Sequence, residues 1–408
     1  MFAVGVLTIP AALAALGAVP GALNVLGWCA LNTYMGVIMG DFRNRHAGCH
    51  SIADMAEVVG GVWLREAVGA LFIIEWVVIA SSGLVGAATA LNALSDHAIC
   101  TVLFVLVVTA VVAIGASIRK FEHLGWVTWA GFASIYAAVL IIVIGVTFRD
   151  RPAAAPQTGP FDLGYVAIGS PTFVQGINAA SSIFVSSCGT TAFLPVISEM
   201  KNPRDYKKAL YCCMLIVTAS YLCFSLVVYR WCGVWVATPS LGSAGPTLKK
   251  VAYGVGLFGL LVTGMLYVHV AAKYLFVRIL KHSKHLQKDS AVHWITWLSC
   301  SIGLTAIAFV IAEGIPIFNQ ILSLAGSFAA APLTICLPDY LYLYDYKMYR
   351  KGTLVQMGKY WFHWLIIAIG AFLCVGGTYG VVQSIVDDYA SGNISSAFSC
   401  ADNSGSTH

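Results

Sequence analysis

Charge-free apolar blocks recur along nearly the whole chain, each close to the ~20 residues a helix needs to cross a bilayer core, and they leave few folds open. Charged residues make up 10% of the 408 and apolar residues 59%, against about 25% charged in soluble domains. So few charges cannot cover the surface of a water-soluble protein this long. The chain therefore reads as an all-α, polytopic integral membrane protein embedded in the lipid bilayer.

Eleven spans are expected, at residues 1–16, 21–40, 67–94, 98–118, 124–148, 172–197, 210–229, 251–272, 291–312, 315–337 and 361–386, with a polar, proline-rich loop at 149–160. Alternate loops then hold 18 of the 23 Lys and Arg residues, among them Arg43, Arg45, Lys207, Lys208, Lys281 and Lys351. The opposite loops hold Arg149, Arg151, Arg230, Lys249 and Lys250. Such an asymmetry marks the basic side as cytoplasmic. It also explains the net charge of +5, so nucleic acid is not an implied partner. An odd number of spans puts the C-terminal tail on the other side. There the glycosylation sequon at Asn393 and the pair Cys100 and Cys400 share an oxidising compartment, where the two cysteines could join. The remaining cysteines are scattered through apolar blocks, without CxxC or Cys/His spacing. They read as packing residues, and neither a metal nor a cofactor is expected.

The first and sixth spans resemble each other. One reads Gly5-Val6-Leu7-Thr8-Ile9-Pro10; the other contains Ser186-Ser187-Cys188-Gly189 and continues to Pro195. Each has a glycine in mid-span and a proline five or six residues later, which weakens and then interrupts a helix. Open backbone is tolerated at membrane depth only where it lines a cavity. Two such breaks five spans apart are the expected sign of an inverted-repeat transporter with its site at the midplane. Freed amides would take a carboxylate and freed carbonyls an ammonium or a cation, which suits a zwitterionic amino acid.

The motifs Gly5-Val6-Leu7-Thr8-Ile9-Pro10, His50-Ser51-Ile52-Ala53-Asp54, Ile197-Ser198-Glu199-Met200-Lys201-Asn202-Pro203, Ala271-Ala272-Lys273 and Phe398-Ser399-Cys400-Ala401-Asp402 carry a resemblance to a known family. The chain resembles the amino acid/auxin permeases, and within them the fungal-type neutral amino acid permeases, from Gly5 to about Asp402. The resemblance implies a leucine-transporter-type fold: repeat one at about 1–148, repeat two at about 163–338, an extra helix at about 360–386 and an extracytoplasmic tail at 387–408. It implies substrate held by the first and sixth helices, usually with proton-driven uptake, and it matches the family's extracellular cysteines to Cys100 and Cys400. Family members also have a half-helix before the glycine motif. The expectation is that this half-helix lies upstream of Met1 in a longer gene product; without it, transport by the chain as it stands is in doubt.

Substrate is thus expected at Gly5, Val6, Leu7, Thr8, Ser186, Ser187, Cys188, Gly189 and Tyr267. Glu75, alone in the apolar third span with Ser82 and Gly86 on its face, is a candidate for proton exchange, as against a structural carboxylate. His269 and Thr263 in the eighth span are candidates for the coupling site, where a protonated imidazole could replace a cation; the alternative for His269 is a satisfied core residue. Protons are the preferred coupling ion, with sodium second. Asn178, Ser181 and Ser182 read as interhelical glue, and Tyr340, Tyr342, Tyr344, Tyr346 and Tyr349 as an interfacial belt. No clustered acid/base or metal-binding set points to an enzyme. The expected function is transport of neutral aliphatic or aromatic amino acids, across the plasma membrane in preference to the vacuolar one. A sensor that binds an amino acid without moving it is the alternative.

Overall fold

The computed structural model of the chain describes residues 2–46, 48–119, 121–200, 202–281, 283–286, 288–315, 317–391 and 396–404. Their regular structure is helical: α1 (Phe2–Leu16), α2 (Ala18–Arg45), α3 (Ile52–Ser95), α4 (Thr101–Ala116), α5 (Phe121–Thr147), α6 (Phe173–Ser187), α7 (Thr190–Glu199), α8 (Tyr206–Cys232), α9 (Pro246–Leu280), α10 (Ala291–Gly314), α11 (Phe318–Leu324), α12 (Leu337–Asp345) and α13 (Leu354–Ala390). Two π-helical turns, Ala325–Ala330 and Pro332–Cys336, join α11 to α12 into one long element. Among the described residues, nine helices or joined helices are long and apolar enough to cross a membrane, and two shorter apolar ones complete the eleven.

Local chemistry explains several boundaries. The turn between α1 and α2 is made at Gly17, whose φ of 88° favours glycine, and a Cβ there would also lie 2.9 Å from the Ile168 carbonyl carbon. The segment around Val166–Gly169 runs against this turn, exchanging backbone hydrogen bonds with Leu16, Ala18 and Val19. α3 starts at a capping box: Ser51 Oγ accepts from Asp54 N–H at 3.2 Å, and Ser51 N–H donates to Asp54 Oδ2 at 2.9 Å. That cap lies within the sequence motif at His50–Asp54. The helix bends at Gly61, where φ is 71°, so the expected start at residue 67 is replaced by a short arm ahead of the span.

In the first span, α1 is a single helix through Gly5 and Pro10. Gly5 sits in its first turn, where N–H groups have no intrahelical partner in any case.

Packing divides most of the spans into two groups. α1 and α2 pack on α6 and α8, while α3, α4, α9 and α10 pack on one another. α5 lies along α9 and α8, and α13 covers α6 and the π-helical turns. Polarity is reversed relative to a water-soluble protein. Leu103, Leu106 and Ile114 on α4, Leu215 on α8, and Phe372 and Val375 on α13 are exposed, while Asn32, Glu75, Ser81, Ser82, Ser186, Ser187, Thr190 and Thr191 are buried. Apolar side chains cost nothing against lipid tails, whereas polar ones need partners that only the interior supplies.

At one end of the bundle, the end expected to be extracytoplasmic, the tail folds back over the helices. Cys100 and Cys400 form the expected disulfide. Beside it Thr101 Oγ1 donates to the Ala401 carbonyl at 2.7 Å, and Asn92 Nδ2 donates to Asn403 Oδ1 at 2.8 Å. Asn393 lies outside the described residues. The topology predicts that in the C100S variant a membrane-impermeant maleimide labels Cys400 in intact cells. Labelling only after permeabilisation would contradict it.

Candidate functional site

The sixth span is open where the sequence places its glycine. α6 ends at Ser187 and α7 begins at Thr190, leaving Cys188 (φ −74°, ψ 117°) and Gly189 (φ −157°, ψ 0°) between them. A helix end leaves its last four carbonyls without intrahelical partners, and each unpaired group in hydrocarbon costs several kcal/mol. Here three of the four are met by identified donors. Phe184 O accepts from Ser187 Oγ at 3.1 Å and from Asn32 Nδ2 at 3.4 Å. Val185 O accepts from Cys188 N–H at 3.1 Å, and Ser186 O from the Tyr221 hydroxyl at 2.7 Å. Asn32 on α2 is the hub of this arrangement. Its amide also donates to Ser187 Oγ at 2.7 Å, and its carbonyl oxygen accepts from Cys188 Sγ at 3.8 Å.

α1 reaches the opening through Gly5 and Thr8. Thr8 Oγ1 donates to Gly5 O at 2.9 Å and lies 3.2 Å from Ser186 Oγ. A Cβ at Gly5 would lie 2.8 Å from Ser186 Cβ and 2.9 Å from Ser186 O, so only glycine allows the two helices this close. Cys188 Sγ is 3.0 Å from Thr334 Oγ1, in the second π-helical turn.

Beside the opening is a small cavity of about 10 Å³, lined by Gly5, Trp76, Ile79, Val185, Ser186, Cys188, Tyr267 and Leu322. Every one of these residues is buried. Its wall is mainly aromatic and aliphatic, and it contains no charged side chain. Trp76 and Tyr267 pack with ring centroids 5.3 Å apart. The indole N–H of Trp76 is buried without a hydrogen-bond partner among the described residues.

Glu75 is 1% exposed and accepts from Thr191 Oγ1 at 3.3 Å. Thr191 belongs to the first turn of α7, whose unpaired amides and positive dipole end favour an anion. The carboxylate therefore stands one residue from cavity-lining Trp76 and beside the half-helix that starts at the opening.

The structure brings together Gly5, Ser186, Cys188 and Tyr267 around the cavity, with Thr8, Ser187 and Gly189 at the adjoining opening. Val6 and Leu7 are buried in the core without lining it. Thr263 and His269 are not among the lining residues either. Thr263 Oγ1 is committed to the Gly259 carbonyl at 2.7 Å. His269 packs on the α4 and α10 side, with Nδ1 3.3 Å from Ala116 O and its ring edge-on to Trp297. Ser82 donates within its own helix, to Ile79 O. The backbone carbonyl of Asn178 accepts from Ser323 Oγ at 3.3 Å, whereas Asn178 Oδ1, Ser181 Oγ and Ser182 Oγ are buried without a hydrogen-bond partner among the described residues, so the side-chain bonding between helices expected of these three is not seen. Sequence reasoning missed Asn32, Trp76, Tyr221 and Thr334. Asn32 had a weak signal, being one of two amides within an apolar span, with Asn24; aromatic and hydroxyl residues are too common in membrane helices to stand out.

Residues 1–383 match the family described as transmembrane amino acid transporter protein. A transmembrane transporter of Gibberella moniliformis is 50% identical over 404 residues, covering 99% of this chain and 85% of that protein. The N amino acid transport system protein of Neurospora crassa is 29% identical over 411 residues, 98% of this chain and 85% of its own length. An Arabidopsis thaliana amino acid transporter is 25% identical over 240 residues, covering 56% of this chain and 55% of its own.

Removing the hub leaves buried acceptors unpaired. N32L is expected to cost about 1–3 kcal/mol of stability, read as a lower unfolding temperature of the purified protein in lipid. S187A, which removes a single hydroxyl from the same group, should cost less. Equal stability of N32L and the parent would show that the opening does not depend on Asn32.

Proposed function

The chain belongs to the family of transmembrane amino acid transporter proteins, and from that premise we propose that it is a secondary active transporter moving neutral amino acids by alternating access. The observation that carries this reading is the opened sixth span, with a small cavity beside it. Backbone polarity at Cys188 and Gly189 suits the charged ends common to all amino acids. The wall of Trp76, Ile79, Val185, Tyr267 and Leu322 suits an aliphatic or aromatic side chain, and with no charged residue in the lining a charged side chain would be desolvated without a partner. Trp76 supplies an unpaired N–H that a carboxylate could accept. The naming of relatives as amino acid transporters supports the same substrate class.

Two five-span repeats, 1–148 and 163–338, with 360–386 as the added helix, form the proposed frame. In support, α1 packs on α6, α2 on α8, α3 on α9 and α4 on α10, each against the span five places on. Alternating access would then be movement of the α1, α2, α6, α8 group relative to the α3, α4, α9, α10 group around the cavity.

Glu75 is the proposed coupling group, with a proton as the ion in preference to sodium. Supporting this are its burial, its bond to Thr191, and its place between the two packing groups, on α3 but bonded to α7, which packs on α2. Thr263 and His269 are left out of the coupling set because their hydrogen bonds run elsewhere. We assign the protein to the plasma membrane rather than the vacuolar one, with the disulfide on its oxidising outer face.

Proteoliposome uptake of a radiolabelled neutral amino acid panel tests the reading. An inward gradient of one pH unit, worth about 1.4 kcal/mol per proton, should support about tenfold accumulation. E75Q should abolish accumulation while keeping counterflow exchange. If amino acids bind but none is moved, the sensor reading replaces transport.

A further inference from the structure

Away from the cavity, a second group of buried ionisable side chains lies where α2, α12 and α13 meet. Asp339 on α12 is 0% exposed and His363 on α13 is 1% exposed. His363 Nδ1 is hydrogen-bonded to Asp339 Oδ1. At the other edge of the ring, Nε2 lies 3.1 Å from the hydroxyl of Tyr34 on α2, and Tyr342 stacks on the imidazole with centroids 3.7 Å apart. The second carboxylate oxygen, Asp339 Oδ2, is buried without a hydrogen-bond partner among the described residues.

An acid and a base kept inside a membrane span are costly, and where they persist they mark proton or ion pathways. A purely structural pair would be expected to satisfy both carboxylate oxygens; this one does not. With the neutral ring's proton on Nδ1, facing Asp339, Nε2 accepts the Tyr34 hydroxyl proton. A second proton on the ring turns Nε2 into a donor, so Tyr34 must accept and redirect its own hydrogen. The pair meanwhile passes from one net negative charge to none. Proton binding therefore reverses the hydrogen bond that ties α13 to α2.

Both of those ties lead to the opening in the sixth span. Asn32, which holds Ser187 and Cys188, is two residues before Tyr34, and residues i and i+2 do not share a helix face. α2 thus holds the opening on one side and His363 on the other. On the second route Thr334, in contact with Cys188, precedes Asp339 by five residues, about 7.5 Å along the axis. The π-helical turns lie on this route, and such turns within helices frequently accompany functional sites.

We propose that Asp339, His363 and Tyr34 form a proton-binding site separate from Glu75, whose occupancy sets the tie between α2 and α13 and so makes transport depend on pH. The second half of this statement rests on the transport reading; the proton site itself does not. Other titratable groups facing the pair, among the described residues, are Tyr342, Tyr346 4.5 Å from it, and Cys336 at the start of α12. Arg45 and Asp345, paired at 2.8 Å, lie beyond Tyr346 at the cytoplasmic end.

The test uses the full chain, with nitrogen-labelled histidine, in lipid nanodiscs. The His363 ring resonances are identified by their absence in H363Q and followed between about pH 5 and 8. The ring is expected to take up a proton within that range. D339N should move the midpoint by about one unit or more, and Y34F, which removes only a hydroxyl, should move it measurably. A ring that keeps one protonation state throughout, or a midpoint indifferent to both variants, overturns the site. In the uptake assay H363Q should alter the pH profile, and an unchanged profile overturns the link to transport. Should the parent move no amino acid, the transport reading falls while the ring titration still decides the proton site.

Discussion

A helix that opens inside a bilayer must find partners for its freed backbone, and the opening at Cys188 and Gly189 determines what the surrounding helices carry. Asn32 on α2, Tyr221 on α8 and Thr8 on α1 all direct polar atoms to the last turn of α6 or its side chains. Their burial would be unfavourable anywhere else in an apolar span. Gly5 follows from the same demand, since α1 can come within reach of Ser186 only without a side chain. The cavity is what remains once these contacts are made. Its polar side is the opened backbone, and its apolar side is the facing surface of α3, α9 and α11.

The same logic explains why Glu75 can be held at depth. It is not placed in a hydrophobic wall but at the start of α7, where Thr191 and the unpaired first-turn amides favour a carboxylate. The bond crosses from α3 to α7, that is, between the two groups of packed helices. A change in the charge of Glu75 alters a contact between those groups directly, which is the physical requirement for coupling an ion to a conformational equilibrium.

The sequence made the spans legible because lipid imposes their length independently of packing. It also located the opening in the sixth span, where Gly189 and Pro195 bracket the start of α7. In the first span α1 runs unbroken through Pro10, and Gly5 serves close packing against Ser186. An isolated histidine gives no sign of which helix face it occupies; His269 meets Ala116 and Trp297. Asn32 and the Asp339–His363 pair escaped notice because their significance depends on partners more than a hundred and more than twenty residues away. Their meaning is tertiary. The capping box at Ser51, by contrast, is local and was present in a recognised motif without its role being apparent.

Cys188 offers the most direct test of the central claim that an amino acid binds at this opening, because the reporter thiol is native to it. The rate of its alkylation by a small neutral reagent can be followed by mass spectrometry of the peptide that contains it, with and without each of a set of neutral amino acids. The account predicts that transported amino acids slow this reaction in proportion to their occupancy, while alkylation of exposed Cys212 is unchanged. Transport of an amino acid that leaves the Cys188 rate untouched at saturating concentration would contradict it.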